Sequence, residues 1–101
     1  MDIRMLRYFL AAAREENITR ASESLHISQP SLSKQLMELE DELGKKLFIR
    51  GKRKLSLTDD GLWLRRRAEE LVELMDKTQN EMTAGEGVIS GEVSIGGAAV
   101  V

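Results

Sequence analysis

With 101 residues, 42% of them hydrophobic, the chain has material for one small cored domain and hardly for two. Aromatics at 4% beside charged residues at 32% suit a helical unit cored by leucine, alanine and methionine. The lack of cysteine excludes disulfides and thiolate metal sites, which makes a reducing cytoplasm the simplest compartment. The net charge of -2 hides an asymmetry: residues 1–58 hold eleven Lys or Arg against eight Asp or Glu, and residues 59–101 hold four against nine. A basic head on an acidic stalk points weakly to a polyanionic partner. The short apolar run 8–13 is ended by Arg14, Glu15 and Glu16, so neither a secretion signal nor a membrane span is expected.

In chain order, Ile3, Leu6, Leu10 and Ala13 with Met5 and Phe9 make a helical stripe and predict a first helix over 2–16. Asn17 or Thr19 can cap a short second helix whose apolar face is Ile18, Ala21 and Leu25, and residues 26–28 are a turn. Ser28 caps a third helix, Pro30 falls in its first turn where a missing N–H is harmless, and Gly44 closes it. The period then changes from helical to alternating. Leu47 and Ile49, then Leu55 and Leu57, are expected on one face of a β-hairpin with a polar tip at 50–54. Thr58 caps a fourth helix that opens with Asp59 and Asp60, favourable at the positive end of the helix dipole, and runs to about 83. Gly85, Gly87 and Gly91 break that helix, and residues 92–95 alternate like the first strand of a second domain. The expected division is a head at 1–58, a linker helix at 59–84 and, at 85–101, a hinge with the start of a truncated domain.

Two short helices joined by a three-residue turn, the second expected to bury Leu32, Leu36, Leu39 and Leu43, describe a helix-turn-helix. Its polar first turn presents Ser28, Gln29, Pro30, Ser31, Ser33 and Lys34. Gln can bond adenine N6 and N7, Lys a guanine edge or a phosphate, Ser either, and Pro can touch a thymine methyl. By itself the same pattern is equally a well-capped helix with a solvated polar face. The hairpin tips the balance, because Arg50, Lys52, Arg53 and Lys54 crowd four cations around Gly51 where a wing would meet phosphates or a minor groove. A basic run alone is more commonly a solvated loop; the two features together form one surface.

On the fourth helix Leu64, Ala68, Leu71, Met75, Thr78 and Met82 are spaced four, three, four, three, four, the seam of a coiled coil. The competing reading is a stripe that covers the domain's own core. Leu62 and Val72 lie off the seam and can pack on the head. Catalysis finds no support, since Glu15-Glu16, Asp59-Asp60 and Glu69-Glu70 point to different sides of their helices. The single histidine, His26, has no partner for a metal, and the glycines at 85–97 lack the context of a phosphate loop. No enzyme, cofactor or metal is expected. A dimeric protein-interaction adaptor using the acidic long helix is the runner-up to a DNA-binding module.

These residues carry a resemblance. The stretch MLRYFLAAAREENITRASESLHISQPSLSKQLMELEDELGKKLF, then Arg50 and Arg53, then LSLTDDG, resembles the N-terminal winged helix-turn-helix of the LysR-type transcriptional regulators along residues 1 to about 87. The resemblance implies a mainly α winged helix-turn-helix with a dimerising linker helix. It further implies a cytoplasmic regulator that binds an interrupted inverted repeat in double-stranded DNA as a homodimer or tetramer. A small-molecule inducer would bind a C-terminal domain missing from these residues. The positions matching Gln29, Pro30, Ser33 and Lys34 approach bases in that family, and those matching Arg50 and Arg53 serve the wing. Lys34 stands where arginine is frequent and lacks its bidentate fork. Ile49 stands where an acidic residue is frequent.

Overall fold

The structure, a computed structural model, describes residues 1–84, so the strand expected at 92–95 and the hinge of 85–101 lie outside the described residues. The elements run α1 (Ile3–Glu15), α2 (Ile18–Leu25), α3 (Gln29–Leu43), β1 (Phe48–Arg50), β2 (Leu55–Leu57) and α4 (Asp59–Thr83).

Local chemistry explains each helix boundary. Asp2 Oδ1 accepts the Met5 N–H at 2.8 Å, and Asn17 Oδ1 accepts the Arg20 N–H at 2.8 Å. Of the two cap candidates for α2 it is therefore Asn17 that serves. Ser28 Oγ accepts the Ser31 N–H at 3.2 Å and Thr58 Oγ1 the Gly61 N–H at 3.0 Å, so every helix begins on a side chain that satisfies an orphan amide. Three helices end on a left-handed residue: Glu16 at φ 56°, His26 at φ 60° and Gly44 at φ 67°. Only Gly44 adopts that conformation without a Cβ penalty.

The core is built on α1. Met5, Leu6, Phe9, Ala12 and Ala13 are buried against Ala21 of α2 and against Leu32, Leu36 and Leu39 of α3. Phe9 meets Phe48 of β1 with ring centroids 5.4 Å apart and planes tilted by 54°, which brings the hairpin onto the helices. The strands pair antiparallel with Phe48 opposite Leu57 and Arg50 opposite Leu55. This register corrects the expected face. Phe48 points inward and Ile49, 56% exposed, points out, while Leu47 is buried just before the strand begins. Both residues at that bend are held by one group: Glu40 Oε2 accepts the Leu47 N–H at 2.8 Å and the Phe48 N–H at 3.2 Å.

The fourth helix also differs from expectation. Leu64 and Ala68, placed on the dimer seam by the heptad spacing, are 7% and 0% exposed and belong to the core of the head. Val72 packs against the same core, and Arg7 of α1 bonds Asp76 at 2.7 Å. The inner face of α4 thus advances by steps of four through Leu64, Ala68, Val72 and Asp76, a row that turns by about 40° per step around the helix and so departs from the heptad seam. The head's core therefore continues past residue 58. Leu71, Met75 and Met82 remain exposed, as do Trp63 and Leu74, and Leu62, expected to pack on the head with Val72, is exposed as well.

Candidate nucleic-acid interface

Helix α3 presents its first turn outward because its leucines are committed inward. Leu32, Leu36 and Leu39 are buried, but Leu43, expected with them, is exposed in the last turn beside the Gly44 cap; Gln29, Pro30, Ser31 and Lys34 are exposed and Ser33 is half-buried. Ser28 is occupied within the chain, since its hydroxyl caps the helix and donates to Ser31 Oγ at 2.8 Å. Of the amides at this helix start only that of Gln29 is left over, since Pro30 has none, Ser31 donates to Ser28 Oγ and Leu32 to the Ser28 carbonyl; the aligned peptide dipoles still favour an anion there.

The hairpin stands beside that turn. A cleft of about 310 Å³ is lined by Gln29, by Arg50, Lys52, Arg53 and Lys54 of the hairpin, and by Glu16, Asn17 and Thr19 where α1 passes into α2. The Leu55 N–H donates to the Glu16 carbonyl at 2.9 Å, which ties the base of β2 to the end of α1. At the tip, the Gly51 N–H donates to the Lys54 carbonyl at 3.1 Å. Sequence reading missed the contribution of Asn17 and Thr19; the N-cap signal at Asn17 located that turn, but nothing in one dimension brings it beside residues 50–54.

The four cations of the hairpin are not equivalent. Arg50 shares a face with Phe48 and Leu55, and its guanidinium lies 3.7 Å from Glu40, whose side chain is 4% exposed. Lys54 lies 3.6 Å from Glu16. Among the described residues, Lys52 and Arg53 make no ion pair. The two central side chains of the tip are therefore the ones left to meet an external anion, while the outer two are drawn toward carboxylates of the head. Glu40 itself escaped the sequence reading. Its position four residues after Leu36, on the apolar face of α3, was the available signal.

On α4, Arg67 stacks over Trp63 with its guanidinium carbon 5.5 Å from the ring centroid, and pairs with Glu70 at 3.3 Å. Among the described residues no group of three or more His, Cys, Asp or Glu side chains is arranged to hold a metal ion, and no helix is long and apolar enough to cross a membrane. His26 serves as the left-handed C-cap of α2.

Comparison with known proteins agrees with this geometry. Residues 3–62 match the model of the bacterial regulatory helix-turn-helix proteins of the lysR family. The HTH-type transcriptional regulator BsdA of Bacillus subtilis (strain 168) is 42% identical over 97 residues, covering 95% of this chain and 33% of that protein. The chain thus spans about a third of the length of this relative. Among solved structures, the DNA complex of the BenM DNA-binding domain at catB site 1 superposes with a TM-score of 0.81 at 37% identity, covering 88% of this chain and 98% of that one. Full-length OxyR C199D from Pseudomonas aeruginosa superposes with a TM-score of 0.80 at 36% identity, covering 85% of this chain and 29% of that one. A helix-turn-helix with a basic hairpin at its side, matched over residues 3–62, makes this chain a member of the lysR family of bacterial regulatory helix-turn-helix proteins.

Proposed function

We propose that this chain is the DNA-binding part of a transcriptional regulator and not an enzyme. It would recognise an inverted repeat in double-stranded DNA with the first turn of α3 in a major groove and the hairpin against the flanking strand. The observation that carries the reading is the shared cleft, which has Gln29 beside Lys52 and Arg53 on one surface. Gln29, Pro30, Ser33 and Lys34 read base edges, with the Ser31 hydroxyl and the Gln29 amide on phosphate. Ser28 acts indirectly by capping the helix. Lys52 and Arg53 supply the principal wing contacts, with Arg50 and Lys54 swinging between head carboxylates and phosphates. DNA complexes of the related BenM and CbnR DNA-binding domains support the same mode here.

The test is selection of duplexes from a random pool, followed by titration at several salt concentrations. Gln29→Ala should relax preference at one base pair in each half-site by about 1 to 3 kcal/mol without unfolding the chain. Lys52→Ala should instead leave preference intact and lower the slope of log affinity against log salt by about 0.9 per protomer. A wild-type chain that holds random and selected duplexes equally, at all salt concentrations, overturns the reading.

Self-association follows from the same symmetry argument, because an inverted repeat calls for two copies related by a two-fold axis. With Leu64 and Ala68 already buried in the head, the pairing surface is the remaining outer stripe of Leu71, Met75, Thr78 and Met82. Leu71→Asp puts a charge into that stripe and should give monomers in sedimentation with weakened binding to the symmetric site. In this scheme residues 1–58 hold the DNA, 59–84 link two copies into a homodimer or part of a tetramer, and 85–101 lead into a domain that takes a small-molecule inducer. The setting is the bacterial cytoplasm.

A further inference from the structure

Met37 is 54% exposed on the third turn of α3, on the same outward side as the polar first turn. At about 100° per residue it falls between Ser33 and Lys34 around the helix and within about 20° of Pro30, at the centre of the outward face. Its neighbours there are polar, and the exposed residues that follow, Glu38, Asp41 and Glu42, are acidic. A lone apolar side chain among charges is too small a patch for a protein partner. The acidic residues matter for a second reason. Phosphates repel them, so α3 has to enter a groove by its N-terminal half, and Met37 is the last outward residue before the repelling stretch begins. From Gln29 to Met37 the helix rises about 12 Å, close to the roughly 12 Å width of the major groove.

We infer that Met37 is a specificity-determining residue that packs against the C5-methyl group of a thymine, further into the half-site than the bases read by Gln29. The inference rests on the proposed DNA-binding function. A flexible thioether side chain with apolar carbons on both sides of the sulfur fits a methyl group on a groove wall and offers a cytosine amino group no acceptor of comparable strength. Lys34, one turn away, holds the neighbouring phosphate or guanine and keeps the helix in register. This contact is separate from that of Pro30, which lies two turns closer to the N-terminus and meets a different base pair.

The test uses the duplex recovered by selection from a random pool, with each thymine replaced in turn by uracil, which lacks the 5-methyl group and leaves Watson–Crick pairing unchanged. Wild-type chain should bind about fourfold more weakly per half-site when one particular thymine is replaced. Met37→Ala and Met37→Gln should bind both versions equally, while Met37→Leu should restore the discrimination. Insensitivity of the wild type to every thymine replacement overturns the inference, as does a Met37→Ala variant that keeps the wild-type discrimination at every position. Sequence-selective, salt-dependent binding by the wild type to the unmodified duplex is the separate readout of the function on which the inference rests. If that binding is intact and the uracil effect is missing, only the role of Met37 falls.

Discussion

Replacing Glu40 by alanine should cost the domain about 3 kcal/mol and dislodge the hairpin, even though Glu40 lies on neither the first turn of α3 nor the wing tip. Its carboxylate is buried and accepts two amides, Leu47 N–H at 2.8 Å and Phe48 N–H at 3.2 Å, with Arg50 at 3.7 Å. Buried ion pairs can often be exchanged for apolar residues with little loss, which argues at first for a small effect. The amides decide otherwise. They belong to the backbone and cannot be removed, so alanine leaves both without an acceptor at roughly 1 to 3 kcal/mol each. The two together span roughly 2 to 6 kcal/mol, and partial relaxation toward solvent brings the loss into the lower half of that span, about 3 kcal/mol. The Arg50 contribution is small, because that side chain is 44% exposed. Glu40→Gln retains a carbonyl oxygen for the amides and loses only the charge, so it should cost about 1 kcal/mol. Urea unfolding of the two variants measures the difference directly. Equal losses for alanine and glutamine would show that the charge, not the acceptor, holds the bend. With a native domain stable by only about 5 to 15 kcal/mol, the alanine variant should also bind DNA more weakly at every sequence, since the wing starts at Phe48.

Gly61→Ala should be comparably damaging, although alanine is the better helix former by about 1 kcal/mol. A Cβ at this position would sit 2.2 Å from the Leu47 carbonyl oxygen and 2.9 Å from Leu57 Cδ2. The leucine methyl can rotate away. The carbonyl cannot, because it accepts the Thr58 N–H at 3.0 Å while Thr58 Oγ1 donates to the Lys46 carbonyl at 2.6 Å. Relief requires the first turn of α4 to lift from the hairpin, breaking these bonds and loosening Leu64 from the core. Overpacking of a fixed contact costs about 1 to 3 kcal/mol and more when backbone must move, which outweighs the propensity gain. A net loss of about 3 kcal/mol should lower Tm by more than 10 °C in a domain of this size. A Tm at or above wild type would mean that α4 docks more loosely than the 2.2 Å approach requires.

Glu40 and Gly61 grip the same peptide from opposite sides. One takes the amides at Leu47 and Phe48; the other lets α4 close on the Leu47 carbonyl. The wing is thereby fixed to α3 and α4 together, and the cleft between Gln29 and Lys52 keeps its width.

What one-dimensional chemistry determined was everything set by near neighbours along the chain. Ser28 and Thr58 each cap the helix that starts after them, and Gly44 ends α3, because a cap needs only the three or four residues that follow or precede it; Asp2, expected inside α1, proved to be its cap, and the choice of Asn17 over Thr19 for α2 came from the structure. The periodicity of Leu32, Leu36 and Leu39 sufficed to turn Gln29, Pro30 and Lys34 outward. Tertiary structure decided whatever depended on partners distant in sequence. Leu47, Phe48 and Ile49 are three apolar residues in a row, so either phase of a period-two strand was open. A one-residue slip exchanges its faces, and the packing of Phe48 on Phe9 chose the phase. The stripe of α4 likewise satisfied a heptad and a straight helix at once for its first turns. Packing against the core of the head drew Leu64, Ala68 and Val72 inward and left Leu71, Met75 and Met82 outside. Glu40 stood out in the sequence only by its place on the apolar face of α3, and its role did not, since the two amides that justify its burial arrive from a bend seven and eight residues later and become its partners only when the hairpin folds back.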